Sequence, residues 1–293
     1  VVSKWNTKGE KSPLVAELPE EASVGLAIYP NGDFALAAAG GLASRINLKT
    51  MENEELFRRQ GTAMTALAIS PDGRVAASAA QRGRFNDFAP TSHLSLIDLE
   101  TGKKRHELEG HEREVSSLSF HPDGKTLASA SYDGLIRLWN TSSGAQLATL
   151  DGHSAEVTSV EYSANGERLL SSGQDGRAIL WDVKTRTPLM TFLVFDGEDW
   201  AMVRPDNYYW ASRGALGEIG FRKGLEVAPF EQFDLVYHRP DLVARTLGAG
   251  DPKRIEMYAS AYKKRIEKMD LGRQVGSIPS EAPHVEIQNV DSL

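Results

Sequence analysis

Apolar and polar positions alternate most regularly between Gly110 and Asn140, in the stretch GHEREVSSLSFHPDGKTLASASYDGLIRLWN. The alternation predicts short strands at Val115–Phe120, Thr126–Ser131 and Ile136–Asn140,. Tight turns at Pro122-Asp123-Gly124 and Asp133-Gly134 separate them, since Pro presets the turn dihedral and Gly accepts a positive one,. Three strands in an antiparallel meander cannot bury both of their own faces, so the unit must recur.

It does recur. Turns equivalent to Pro122-Asp123-Gly124 stand at Pro30-Asn31-Gly32, Pro71-Asp72-Gly73, Ala164-Asn165-Gly166 and, loosely, Pro205-Asp206-Asn207. Their spacings are 41, 51, 42 and 41 residues. A period in the low forties, with Gly110-His111 and Gly152-His153 opening the best units and Trp139-Asn140 and Trp181-Asp182 closing them, resembles the WD40 repeat,. The resemblance implies an all-β fold. The expected form is a WD40-type β-propeller with five recognisable blades plus a partial one, in a ring of six or seven, followed by a short α-helical extension.

In the two best units His111, Ser129, Asp133 and Trp139, and likewise His153, Ser171, Asp175 and Trp181, match the positions that form a hydrogen-bonded network inside a WD40 blade. A buried indole N–H, imidazole and carboxylate must satisfy one another or cost stability. The Ser, His and Asp also suggest a hydrolase, but they occur twice and a blade interior offers no cleft, so the structural reading is preferred. The units at Pro30 and Pro71 lack the His and the Trp, carrying Ile46-Asn47 and Ile97-Asp98 instead.

Taken in order, residues 1–235 are expected to form the propeller, with 1–18 a partial blade and 195–235 an atypical closing blade. Val2 to Asn6 would be a third strand and Pro13 to Leu18 an outer one; the absence of an initial Met suggests that the chain begins partway through something longer. The alanine-rich second strands at Phe34–Ala39 and Val75–Ala80 suit close packing on both faces,. The longest spacing reflects an insertion at Gln81 to His93, QRGRFNDFAPTSH, on the face where WD40 partners dock. Arg82, Arg84, Phe85 and Phe88 there are of the type enriched at interface anchors,. The plainer alternative is a tolerated surface insertion whose aromatics tuck against the blade.

In the closing blade, strands are expected at Trp200 to Val203, Tyr208 to Ala211 and Ile219 to Arg222, with Trp200, Tyr208, Tyr209 and Trp210 as core,. Residues 236–272 form the helical extension: a short helix between Pro240 and Gly248, and a second from Pro252 to about Met269,. The second carries Ile255, Tyr258, Tyr262, Ile266 and Met269 on one face, with Lys263, Lys264, Arg265 and Lys268 elsewhere. That stripe either packs on the propeller's own rim or docks a neighbouring domain. Residues 273–293 read as a linker and a candidate first strand, His284 to Ile287, of a following domain.

Residues 199–247 resemble the end of the WD40 region in bacterial proteins that continue into a caspase-like cysteine peptidase of the C14 type. The matching residues are Tyr208 to Ser212, Gly214 to Leu216, Pro229 to Asp234 and Arg239 to Asp241. The chain has no cysteine, so no catalytic residue can be carried over from that family,.

A net charge of −7 opposes nonspecific binding to nucleic acid or an acidic membrane,. His93, His106, His121 and His238 lack partners at metal-ligand spacing, and no cofactor is expected,. No apolar run is long enough to span a bilayer, and the compartment stays open, the cytoplasm being slightly favoured,. The expected function is a noncatalytic scaffold or sensor that binds a protein partner, or a neighbouring domain of the same chain, on the propeller's top face. The alternative is a regulatory or substrate-recruiting segment of a larger bacterial caspase-like peptidase. A ligand in the central channel has no acid pair or phosphate loop to support it.

Overall fold

The computed structural model of the chain describes residues 2–5, 11–16, 25–39, 41–58, 62–82, 91–195, 198–217, 219–223, 226–228, 230–248, 250–268 and 284–287. The chain divides into two compact units, Val1–Gln174 and Asp175–Leu293.

In the first unit β1 (Val2–Trp5) and β2 (Lys11–Ala16) form an antiparallel pair. Three four-stranded antiparallel sheets follow, each a consecutive meander. The first is β3 (Gly25–Ile28), β4 (Phe34–Ala39), β5 (Leu42–Asn47) and β6 (Asn53–Arg58). The second is β7 (Thr62–Ile69), β8 (Val75–Arg82), β9 (Thr91–Asp98) and β10 (Lys104–Leu108). The third is β11 (Val115–Phe120), β12 (Thr126–Ser131), β13 (Ile136–Asn140) and β14 (Gln146–Leu150). An antiparallel hairpin of β15 (Val157–Tyr162) and β16 (Arg168–Gly173) closes the unit. These sheets are the blades expected of a propeller.

Each blade is punctuated by the same local chemistry. Gly32, Gly73, Gly124 and Gly166 sit at φ of 70 to 73° in the turn after the first strand, a backbone state that glycine, lacking a Cβ, adopts without steric cost,. The residue that ends the third strand is Asn or Asp because its side chain builds the next turn. Asn47 Oδ1 accepts the N–H of Lys49 (2.8 Å), Asp98 Oδ1 that of Thr101 (2.8 Å), and Asn140 Oδ1 that of Ser143 (2.9 Å).

The core lies between blades. Ala66, Ala77, Ala79, Leu94 and Leu96 of the second pack with Val115, Leu118, Leu127 and Trp139 of the third. The small second-strand residues, Ala35 to Ala38 and Ala76 to Ala80, are buried throughout and let neighbouring sheets approach,.

One device escapes a reading of alternation. Every described first strand from β7 onward carries a β-bulge, with Thr65, Ser116 and Thr158 as the extra residue,. Two of these turn a hydroxyl onto the neighbouring blade: Thr65 Oγ1 donates to Val115 O (2.7 Å) and Ser116 Oγ to Val157 O (2.6 Å). Thr158 is exposed and donates within its own hairpin, to Ser172 O (3.1 Å).

Both ends of the insertion lengthen the hairpin: β8 and β9 stay paired out to Arg82 opposite Thr91, and 83–90 lie outside the described residues.

In the second unit β17 (Arg177–Asp182), β18 (Thr187–Phe195), β19 (Asp199–Val203) and β20 (Tyr209–Ala211) pair in succession, antiparallel. The strands expected of a closing blade are present but divided between two sheets. β19 and β20 extend the sheet of β18, whereas β21 (Ile219–Lys223) lies between β22 (Glu226–Ala228) and β23 (His284–Ile287). The candidate strand of a following domain, β23, instead pairs antiparallel with this chain's own β21.

Three helices follow: α1 (Phe230–Tyr237), which the sequence reading had assigned mainly to the closing blade, α2 (Pro240–Leu247) and α3 (Pro252–Lys268). Pro at the first turn of α2 and Gly248 in the left-handed region at its end bracket that helix,. Tyr209 is fully buried with Ala201, Ile219 and Tyr237, and Trp200 meets Trp210 edge-on at 5.3 Å. On α3 the residues Ile255, Tyr258, Tyr262 and Ile266 are half-buried against its own unit, Tyr258 meeting Trp210 at 5.8 Å. Arg265 joins that face rather than the solvent side, and Met269 lies outside the described residues. Among the described residues no helix is long and apolar enough to cross a membrane.

Candidate partner-binding site

In the third blade β12, β13 and the connection after β10 bring His111, Ser129, Asp133 and Trp139 together. Trp139 Nε1–H donates to Ser129 Oγ (2.8 Å). The ionised Asp133 carboxylate can only accept, so the His111 proton sits on Nδ1 and Nε2 accepts from Ser129 Oγ, 2.7 Å away,. The Nδ1–H of His111 donates to Asp133 Oδ2, at 2.8 Å. The relay ends on a carboxylate that also accepts the Leu135 N–H (3.0 Å) and the guanidinium of Arg137 (2.8 Å). Burial pulls the Asp133 carboxyl upward, but the bonds from His111, Leu135 and Arg137 outweigh it and hold the carboxyl well below the usual range,.

Arg137 is the member that sequence reasoning missed. The corresponding position of the next repeat is Ile179, so no repeated signal marked it. In that repeat His153 Nε2 lies 2.8 Å from Ser171 Oγ, both buried. Asp175 and Trp181 fall in the second unit, where each is buried and Asp175 accepts the N–H of Arg177 (3.1 Å).

Neither serine can serve as a nucleophile. Ser129 is 0% and Ser171 1% exposed, so no substrate reaches them. Among the described residues, no group of three or more acidic or histidine side chains is gathered as a metal site requires.

The network holds one connection, and the His153–Ser171 bond another; the two frame an open depression of about 580 Å3. One wall is the β12–β13 turn with Tyr132 and Asp133, the other the β14–β15 connection with Asp151, His153 and Glu156; Arg113 and Gln174 complete it. Arg113 spans the floor, donating to Tyr132 O (2.8 Å) and pairing with Glu156 (2.7 Å). Asp151 stands exposed. Nearby, burial pushes the Glu114 carboxyl up, against the opposing charge of Arg113. The lining offers hydrogen bonds of both signs and an acidic surplus, suited to holding polar or basic groups rather than to bond-breaking.

The Arg82 end of β8 and the Thr91 end of β9 lie at the same end of their blade. Strands within a blade are antiparallel, and Thr65 near the start of β7 bonds Val115 at the start of β11, so the two blades run in register. Arg82 is the last residue of β8, while Arg84, Phe85 and Phe88 lie outside the described residues.

Known proteins match this geometry. Residues 102–140 and 144–182 fit the family model "WD domain, G-beta repeat". WD repeat-containing protein SL1-17 of Schistosoma mansoni is 34% identical over 120 residues, 41% of this chain and 36% of that protein. Target of rapamycin complex subunit wat1 of Schizosaccharomyces pombe is 35% identical over 75 residues, 25% of this chain and 21% of that protein. The chain thus spans well under half the length of these relatives. A chain of the crystal structure of a mitotic checkpoint complex aligns with a TM-score of 0.50 at 20% identity, over 63% of this chain and 61% of that one, a likeness of fold. These relatives are eukaryotic, so the resemblance of 199–247 to bacterial caspase-like chains draws no support from them. The two matched segments, each with its His–Ser hydrogen bond, thus fit the WD40 repeat.

Proposed function

We propose that this chain is a noncatalytic scaffold that binds a protein partner at the end of its blades where the β10–β11, β12–β13 and β14–β15 connections gather. The observation that carries the reading is the depression between Tyr132, Asp151 and Glu156, whose walls are held rigid by buried hydrogen bonds rather than left as free loops. A preorganised, polar concavity lowers the ordering cost of recognition. The relative named as a complex subunit is consistent with such a role.

The test compares proteins captured from cells by the unaltered chain and by Asp151→Arg combined with Glu156→Arg. A partner lost with this pair but kept with Lys125→Glu, on the opposite turn, supports the site; identical capture by all three overturns it. Replacing Arg84 and Phe85 with Ala asks the same of the insertion, where lost binding at an unchanged melting temperature is expected. The narrower reading, a recruiting or restraining segment of a caspase-like peptidase, rests on the resemblance of 199–247. Its test is whether a His and a Cys in a caspase-like setting are encoded beyond Leu293.

A further inference from the structure

We propose that His238 and Arg265 form a proton-operated latch that holds α3 against the rest of its unit and releases it on acidification. His238 sits at the α1–α2 junction, stacked on the ring of Tyr209 at 5.2 Å and 16° between planes. The groups facing it come from every neighbouring element. From β20, Tyr209 donates its hydroxyl to Asp234. From α1, Asp234 Oδ1 lies 3.8 Å from His238 Nδ1. From α3, Arg265 donates from Nη2 to the His238 carbonyl (3.1 Å). Beyond it Tyr262 meets two cations, Arg239 at 4.0 Å and Arg265 at 5.5 Å from its ring, and Arg239 is paired with the buried Asp241 (2.7 Å).

Two atoms in this cluster stand out. Among the described residues His238 Nε2 and Arg265 Nε are both buried without a hydrogen-bond partner. A neutral imidazole tolerates this because only one nitrogen need donate; an imidazolium must donate from both. Protonation therefore places a second N–H where no acceptor is available and a positive charge beside Arg265. Asp234, the natural counter-charge, is already engaged by Tyr209 and stands beyond hydrogen-bond distance. Burial pushes the imidazole pKa down and Arg265 adds to this, while Asp234 opposes,.

The element that gives way is α3. It has no fully buried residue, whereas α2 buries Asp241, Val243 and Ala244. A histidine whose docked pKa is depressed contributes docking stability that is complete above the free value of about 6.5. That stability is lost as pH falls through the docked value, by up to about tenfold per pH unit. Release would uncover Trp210 and Arg239, which Tyr258 and Tyr262 now cover.

Amide exchange over 254–268 in the unaltered chain, corrected for intrinsic rates, is followed from about pH 7.5 to about pH 5. Protection of α3 is expected to fall by up to about tenfold per unit as pH drops below about 6.5 toward the docked value, while β11–β14 stay protected. His238→Gln is expected to remove that dependence. Should that variant lose α3 docking at every pH, the His238 ring is titrated by NMR in the unaltered chain. A midpoint below about 6.5 that coincides with α3 release supports the latch. A midpoint at or above that value, or an unchanged pH profile in His238→Gln, overturns it.

Discussion

Ser129 is the test of whether the buried relay holds the third blade. Its hydroxyl serves the Trp139 indole at 2.8 Å and the His111 imidazole at 2.7 Å, and the residue has no exposed surface. Ser129→Ala removes one oxygen and orphans both partners, neither of which water can reach. A buried group left unpaired costs about 1–3 kcal/mol. Two of them, with some relaxation, bring the expected loss to roughly 3 kcal/mol. At about 2 °C per kcal/mol for a chain of this size, the melting temperature should fall by about 6 °C. Near-ultraviolet circular dichroism is the assay, since it reports tryptophan packing. Trp139→Phe removes the same donor from the other side, so the double variant should cost less than the sum of the singles, with a coupling near 1 kcal/mol. A fall below about 2 °C, or strict additivity, would show that Ser129 is filler and that the relay carries no stability.

Three further outcomes follow from the same geometry. Gly166→Ala forces a side chain into φ +73° and puts its Cβ 2.4 Å from His121 Nε2, whereas Gly32→Ala at φ +70° meets nothing within 4 Å. Strain alone costs about 1–2 kcal/mol, so denaturant unfolding should find Gly32→Ala at that level and Gly166→Ala clearly beyond it. Ser116→Ala should cost about 1 kcal/mol by loss of its bond to the next blade, and Thr158→Ser, which keeps a hydroxyl on an exposed bulge, close to nothing,. For acid, Asp133 has its carboxyl held down in the folded state, so its contribution is present above about pH 4 and lost as pH falls below that,. Asp133→Asn should therefore be less stable at neutral pH and show a flatter acid limb in melting temperature against pH.

What could be read from the sequence was whatever repeats. Val115–Phe120, Thr126–Ser131 and Ile136–Asn140 stand where the alternation and turn residues put them, and the all-β blade architecture follows. What stayed hidden depends on one residue more or less. A bulge at Thr65 or Ser116 leaves the run of strand formers intact while rotating a single side chain out of phase. The division of the last strands between two sheets, with β21 pairing β22 and β23 rather than β20, has no repeated signal to announce it. Arg137 and Arg265 were invisible for a different reason: each acts through a fold neighbour, Asp133 and the His238 carbonyl, that neither period nor composition reveals.

The bulged hydroxyls give the row of blades a direction. Two junctions have a giver and a receiver: Thr65 supplies the proton that Val115 takes, and Ser116 supplies the one that Val157 takes. The receiving carbonyl belongs to backbone, which every repeat possesses whatever its side chains. A copied repeat would therefore arrive with both halves of the join already built in, able to slot between its parents in one orientation only. Growth by tandem duplication is written into the joint itself, and the side chains elsewhere on the blade are left free to diverge.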